Sequence, residues 1–109
     1  MINEDRVEQA IKNLASTDEE HANLKAEFEY LKDTAKKDKA IFIVSLNEKQ
    51  SFSFREQLYY ASKEYDVHIT NKRIVLRDLT HLENKRAKEG LVIEVWRTLE
   101  ASRRKNNIT

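Results

Sequence analysis

The chain has almost none of the residues that form tight turns, because it contains no proline and one glycine in 109 residues. A sheet protein of this size needs several such turns, which proline and glycine usually supply. Charged residues make up 36% of the sequence and apolar residues 39%, a balance typical of long helices. The composition therefore favours an all-α fold.

The sequence also lacks cysteine, and no apolar run approaches the ~20 residues that cross a bilayer. The missing cysteine excludes disulfides, a thiolate nucleophile and a cysteine-based zinc site. The first residues, MINEDRVEQAIKNL, are polar and acidic, unlike a secretion signal. We therefore expect a cytoplasmic protein that makes no membrane contact.

Helical periodicity predicts four helices within one domain, residues 1–109. The predicted helices are a short one at 1–15, a long one at 17–46, a short one at 53–61 and a long one at 63–105. The two long helices are expected to pack antiparallel as a coiled-coil-like hairpin, because the first carries apolar residues on a seven-residue repeat and the second carries a broad apolar stripe.

Polar residues indicate where three of these helices begin. Thr17 with Glu20, and Ser53 with Glu56, have the spacing of capping boxes, in which each side chain accepts a hydrogen bond from a free backbone N–H. Ser62 stands where an N-cap of the last helix is expected. The first of these boxes predicts a break between the first short helix and the long one.

Apolar spacing predicts which face of each long helix is packed. The first seam contains Leu24, Phe28, Leu31, Ala35 and Phe42, with Asp38 as a polar interruption. The second is a broad stripe of Ile69, Leu76, Leu79, Leu82, Ile93, Trp96 and Leu99. Both helices are polar in the middle, and Gly90 in the second predicts a kink or a close helix contact. Because the seams are thin, we expect a homo-oligomer.

Two segments leave the helical prediction open. AIFIVSL at 40–46 and VHITNKRIVLR at 67–77 are rich in β-branched residues, which favour strands. However, the chain has no Asn-Gly or Asp-Gly hairpin turn there, and the first seam enters the 40–46 segment in phase. Helix is the preferred prediction, although the sequence does not decide whether 41–46 and 67–77 are helical throughout.

The residues needed for catalysis are not arranged for it. None of His21, His68 and His81 has a second histidine three or four positions away, the spacing of a helical metal pair. His81 with Asp78 is better explained by a solvated helix face. One glycine cannot make a glycine-rich phosphate loop. We expect no enzyme activity, no metal or other cofactor and no small-molecule substrate.

Charge is distributed unevenly along the chain. Residues 1–33 contain four Lys/Arg and nine Asp/Glu, a net charge of −5, so the remaining residues carry +6 of the total of +1. Two interpretations follow: the acidic part lies against the basic part inside one bundle, or the basic part meets nucleic acid.

Seven basic side chains toward the C-terminus are candidate nucleic-acid contacts: Lys85, Arg86, Lys88, Arg97, Arg103, Arg104 and Lys105. A row of such cations on one helix can follow a phosphate backbone, and Arg97 and Arg104 are seven residues apart, on one face. Cations are also favoured at any helix C-terminus by the helix dipole. Trp96 is interpreted as a core anchor rather than a base-stacking residue, because its neighbours are apolar.

The segments YASKEYDVHI, LENKRAKEGLVIEVWRTLEASRRKNNI and NEDRVEQAIKNLASTDEEHANLKAEFEYLKDTAKKDKA resemble a family of small bacteriophage and prophage proteins. These are encoded in early regions, near genes for recombination and single-strand annealing. The shared patterns are Ala-Ser-x-Glu-Tyr at 61–65, Ile-Glu-Val-Trp-Arg at 93–97 and Arg-Arg-x-Asn-x-Ile at 103–108. The middle of the chain is more polar or β-branched than that family. The resemblance implies an all-helical accessory protein in the cytoplasm of a bacterial host.

The leading functional hypothesis is a non-catalytic protein of phage DNA recombination or replication. Its basic C-terminal helix would bind single- or double-stranded DNA, or a phage recombination protein already on DNA. The alternative is a structural adaptor or host-factor inhibitor that binds no nucleic acid and makes its contact through the acidic N-terminal third.

Overall fold

The computed structural model describes residues 2–107 and contains three helices. They are α1 (Glu4–Ser45), α2 (Phe52–Tyr60) and α3 (Lys63–Asn107). No strand occurs within these residues, so the all-α prediction is confirmed. Residues 41–45 belong to α1 and residues 67–77 to α3, so both β-branched segments are helical, apart from Leu46.

The predicted break between helices 1–15 and 17–46 is wrong, because α1 runs through it without interruption. The Thr17 hydroxyl donates a hydrogen bond back to the carbonyl of Asn13, at 2.7 Å, and Ser16 donates to the same carbonyl. A hydroxyl bonded to the preceding turn does not cap a new helix. The fold therefore has one short helix, not two.

The start of α2 is shifted from its predicted capping box. Ser51, rather than Ser53, is the N-cap, and its hydroxyl accepts a hydrogen bond from the Phe54 N–H at 3.1 Å. Glu56 does not reach back to the helix start, since its carboxylate lies 2.7 Å from the Lys39 ammonium. The predicted cap of α3 is confirmed, because the Ser62 hydroxyl accepts from the Tyr65 N–H.

Contacts divide the chain into two compact units. Unit 1 contains the residues up to Ala22 and from Thr80 onward, and unit 2 contains Asn23–Leu79. Within unit 1 the two helical segments pair antiparallel, because Arg6 contacts Glu89 whereas Leu14, further along, contacts Arg86. Its buried apolar side chains are Val7, Ala10 and Leu82.

Unit 2 buries Ile43, Tyr59 and Leu79. The predicted seam of α1 is confirmed: its apolar members are half-buried, whereas Asp38 is exposed. The Tyr59 ring packs edge-on against Phe42, with ring centroids 5.5 Å apart, and burial raises the pKa of the Tyr59 phenol. The aromatic contact joins α2 to α1.

The packed face of α3 differs from the predicted stripe. Ile69, Leu76 and Leu99 are exposed, so that part of the prediction is wrong. The face that is buried or half-buried repeats at alternating spacings of three and four: Tyr65, His68, Lys72, Val75, Leu79, Leu82, Arg86, Glu89, Ile93, Trp96 and Glu100. This is the spacing of a coiled-coil seam, and several of its positions are charged or polar.

Gly90 does not mark a close helix contact, so that one of the two predicted alternatives is wrong. A Cβ atom at this position would have nothing within 4 Å, and α3 continues through it. The glycine therefore leaves open space that an alanine would fill without a clash.

Candidate functional site

Arg86 is a structural residue rather than a free cation. Its guanidinium donates to the Leu14 carbonyl and to the Thr17 hydroxyl, both at 2.8 Å, and lies 3.2 Å from the Asp18 carboxylate. Its side chain is 20% exposed. Since its donors are directed at α1, Arg86 is withdrawn from the candidate nucleic-acid contacts.

A second ion pair joins the same two helices with the charges reversed. Arg6 donates two hydrogen bonds to the Glu89 carboxylate, at 2.7 and 3.2 Å, and Asn13 donates a third. The bond from Arg6 is the main reason that the pKa of Glu89 lies below its ordinary value. In the Asp18–Arg86 pair the acidic residue belongs to the acidic N-terminal part and the basic residue to the basic remainder of the chain, as one interpretation of the sequence expects. In the Arg6–Glu89 pair the signs are reversed.

The Arg6–Glu89 pair predicts acid sensitivity. The pKa of Glu89 is lower in the folded chain than in the unfolded chain. The contribution of Glu89 to the free energy of unfolding is therefore complete above its pKa in the unfolded state and is lost as pH falls through its pKa in the folded state. We expect wild-type protein to lose free energy of unfolding more steeply than Glu89→Gln below about pH 4.5, measured by urea titration. Exposed Glu8→Gln should keep the wild-type slope, and a Glu89→Gln slope equal to wild type would contradict the role of this pair.

The remaining candidate cations are exposed on the C-terminal half of α3. Arg97 and Arg103 pair with carboxylates three residues earlier, at 3.4 and 3.0 Å, and their side chains are 73% and 65% exposed. Within residues 2–107, the other four make no ion pair: Lys85, Lys88, Arg104 and Lys105. Such exposed pairs are weak, so Arg97 remains available to a phosphate.

These cations do not form one row. Arg97 and Arg104 lie on one face of α3, whereas Lys85 and Arg103, five helical turns apart, lie on another. Arg103 also lines a cleft of about 540 Å³ with Glu4, Asp5 and Glu100, whose carboxylates offset its charge. We call Arg97, Arg104 and Lys105 the basic end of α3.

Trp96 lies on the packed face of α3 as interpreted, but it is half-buried rather than enclosed. Trp96 lines the cleft that also contains Glu4 and Asp5. That acidic surrounding repels a nucleotide phosphate, so Trp96 is not positioned as a base-stacking residue.

A second group of cations lies in unit 2, where the sequence did not indicate a site. Lys36 and Lys39 of α1 and Lys72 of α3 line a cleft of about 270 Å³, together with tyrosines. We call this the lysine cleft. The sequence feature that corresponds to the lysine cleft is the lysine-rich middle of α1, which the apolar spacing alone marks only as a polar part of the seam.

Among the described residues, no group of three acidic or histidine side chains could hold a metal ion. No helix in this part of the chain is long and apolar enough to span a membrane. The His21 Nε2 atom is buried without a hydrogen bond, 3.8 Å from the Glu83 carboxylate, while His81 is exposed. The histidines are therefore dispersed.

No family model matches the chain, and no curated protein or solved structure is significantly similar to it. Function is therefore inferred from the placement of charge and apolar surface in this fold, together with the sequence patterns.

Proposed function

We propose that this protein is a non-catalytic accessory protein of phage DNA recombination or replication. It binds DNA, or a phage protein on DNA, through the basic end of α3. The observation that carries the proposal is the exposure of Arg97, Arg104 and Lys105 close together in the last turns of one helix. Arg86, by contrast, is occupied by α1.

The geometry suits a phosphate backbone. Arg97 and Arg104 are two helical turns apart on one face, about 10 Å along the axis. Two guanidinium groups at that separation can contact separate phosphates, with Lys105 adding charge beside them. Each neutralised phosphate releases counterions, so binding should be strong at low salt and should weaken as salt is added.

The recombination context of this proposal rests on the sequence resemblance alone. The patterns at 61–65, 93–97 and 103–108 resemble those of phage early-region proteins, and the last pattern contains two arginines of the C-terminal segment. Its final residue, Ile108, lies outside the described residues. A protein partner already bound to DNA would meet the same exposed cations.

Fluorescence anisotropy with labelled single- and double-stranded oligonucleotides tests this proposal. We expect Arg97→Ala/Arg104→Ala/Lys105→Ala to weaken binding and to flatten the salt slope by about 2–3, close to one unit per lost phosphate contact. The matched control, Lys63→Ala/Arg73→Ala/Arg77→Ala, removes the same charge from another part of α3 and should bind as wild type. Absence of binding at low salt, or equal losses in both variants, would refute the direct role.

A second candidate function, a protein-interaction adaptor that self-associates, is favoured by an apolar ridge on α3. Leu91, Val95 and Leu99 follow one another at four-residue spacing and are 62%, 38% and 49% exposed. Single exposed apolar residues are ordinary, but a continuous ridge is typical of an interface. A homo-oligomer would cover it. Failure to bind DNA would favour this second function.

A further inference from the structure

The lysine cleft has an uncompensated positive charge. Lys39 is neutralised, because its ammonium lies 2.7 Å from the Glu56 carboxylate. Lys36 and Lys72 make no ion pair among the described residues. No aspartate or glutamate lines the cleft. Its walls therefore present two ammonium groups that have no carboxylate partner among the described residues, of which that of Lys72 lies over the Phe28 ring, 5.9 Å from its centroid.

One wall of the cleft is aromatic and already packed. The rings of Tyr59 and Tyr60 are 5.5 Å apart between centroids, and Tyr65 lies 5.4 Å from the first and 5.1 Å from the second. Tyr59 is 2% exposed, whereas Tyr60 is 42% exposed. Tyr60 is therefore the most exposed of the three rings, and because it is already packed against the other two, little conformational entropy would be lost when a planar ligand binds to it.

The polar atoms of this wall are held in place. The Lys39 ammonium donates to the Tyr60 hydroxyl at 3.0 Å and lies over the same ring, 5.0 Å from its centroid. His68 lines the cleft beside them and supplies a further nitrogen. The cleft thus combines aromatic surface, hydrogen-bonding groups and free positive charge.

We propose that the lysine cleft binds one nucleotide. Lys36 and Lys72 hold the phosphate, since lysine binds phosphate as a point charge, and the base packs on the exposed part of the Tyr60 ring, beside the Lys39 ammonium. The volume of about 270 Å³ lies near the lower limit for ligand sites, which suits a single nucleotide and not a larger cofactor.

Two other clefts among the described residues do not share this chemistry. The one beside Arg86 is lined by the Glu89 carboxylate as well as lysines, and the one beside Trp96 contains Glu4 and Asp5. The first has cations but no aromatic side chain for a base, and in the second a phosphate would meet negative charge. The proposal is also independent of the DNA role, because the lysine cleft and the basic end of α3 share no residue.

Isothermal titration calorimetry with adenosine monophosphate, adenosine and inorganic phosphate tests the proposal. The monophosphate should bind more tightly than either fragment, because only it uses the cations and the rings together. Lys36→Ala/Lys72→Met should weaken its binding about tenfold or more, the effect of losing at least one charge-assisted contact. Lys37→Ala, which removes a neighbouring exposed charge outside the cleft, should bind as wild type.

Circular dichroism first establishes that each variant is helical. If the double variant does not fold, the single variant Lys36→Ala, at an exposed position, replaces it. No heat of binding for the monophosphate, or equal affinity in the cleft variant and Lys37→Ala, would overturn the proposal. Unchanged affinity in Arg97→Ala/Arg104→Ala/Lys105→Ala would separate this site from the DNA surface. If a trinucleotide binds more tightly than the monophosphate, the ligand is a nucleotide within a single strand. If the trinucleotide binds equally or more weakly, the ligand is a free nucleotide.

Discussion

Replacing Tyr59 with alanine should lower the free energy of unfolding by about 3–5 kcal/mol, the range for removing a large buried aromatic side chain. Tyr59 is 2% exposed and contacts three other aromatic rings, those of Phe42, Tyr60 and Tyr65. Its removal leaves a cavity where α2 meets both long helices, because Tyr59 is the buried member of this aromatic cluster. Urea titration followed by circular dichroism measures the loss.

Tyr30→Ala is the matched control for this prediction. The same side chain on α1 is 62% exposed, so its loss should change the free energy of unfolding by no more than about 0.5 kcal/mol. Similar losses in the two variants would show that the aromatic cluster does not hold α2 in place.

The fold class follows from the sequence, but the helix boundaries follow only in part. Thr17 with Glu20 is a correct capping pattern that the chain does not use, because the Thr17 hydroxyl bonds to Asn13 and accepts a hydrogen bond from Arg86. That arginine is 69 residues away in the sequence. A local pattern cannot show such a distant competitor, whereas Ser62 caps α3 as predicted because nothing distant competes for it.

The spacing of apolar residues predicts the packed face of a helix where that face is apolar, as on α1. It does not predict the packed face where several of its positions are polar or charged, as on α3. The α1 seam is almost wholly apolar, so its spacing alone located it. On α3 the seam includes Lys72, Arg86 and Glu89, and a search for apolar residues moved the predicted stripe to Ile69, Leu76 and Leu99. Spacings of three and four counted over all residue types would have located the correct face.

The candidate sites show a similar limit. The sequence located the basic segment of α3 but could not show that Arg86 is held by α1 while Arg104 is exposed. The lysine cleft was not predicted, because it forms from three helices and depends on the placement of Tyr60 beside Lys39. Contacts between residues so far apart in the chain leave no periodic signal.

Leu82→Ala should lower the free energy of unfolding by about 2–4 kcal/mol, because Leu82 is 7% exposed on the packed face of α3 in unit 1. Trp96 belongs to the same unit, so its fluorescence during urea titration reports the loss directly. Leu91→Ala removes the same atoms from a side chain that is 62% exposed, and a monomer should lose no more than about 0.5 kcal/mol. Equal losses at low protein concentration would contradict the assigned seam. A Leu91→Ala loss that grows with protein concentration would instead locate the apolar ridge in an interface between copies, since association stabilises the folded chain by mass action.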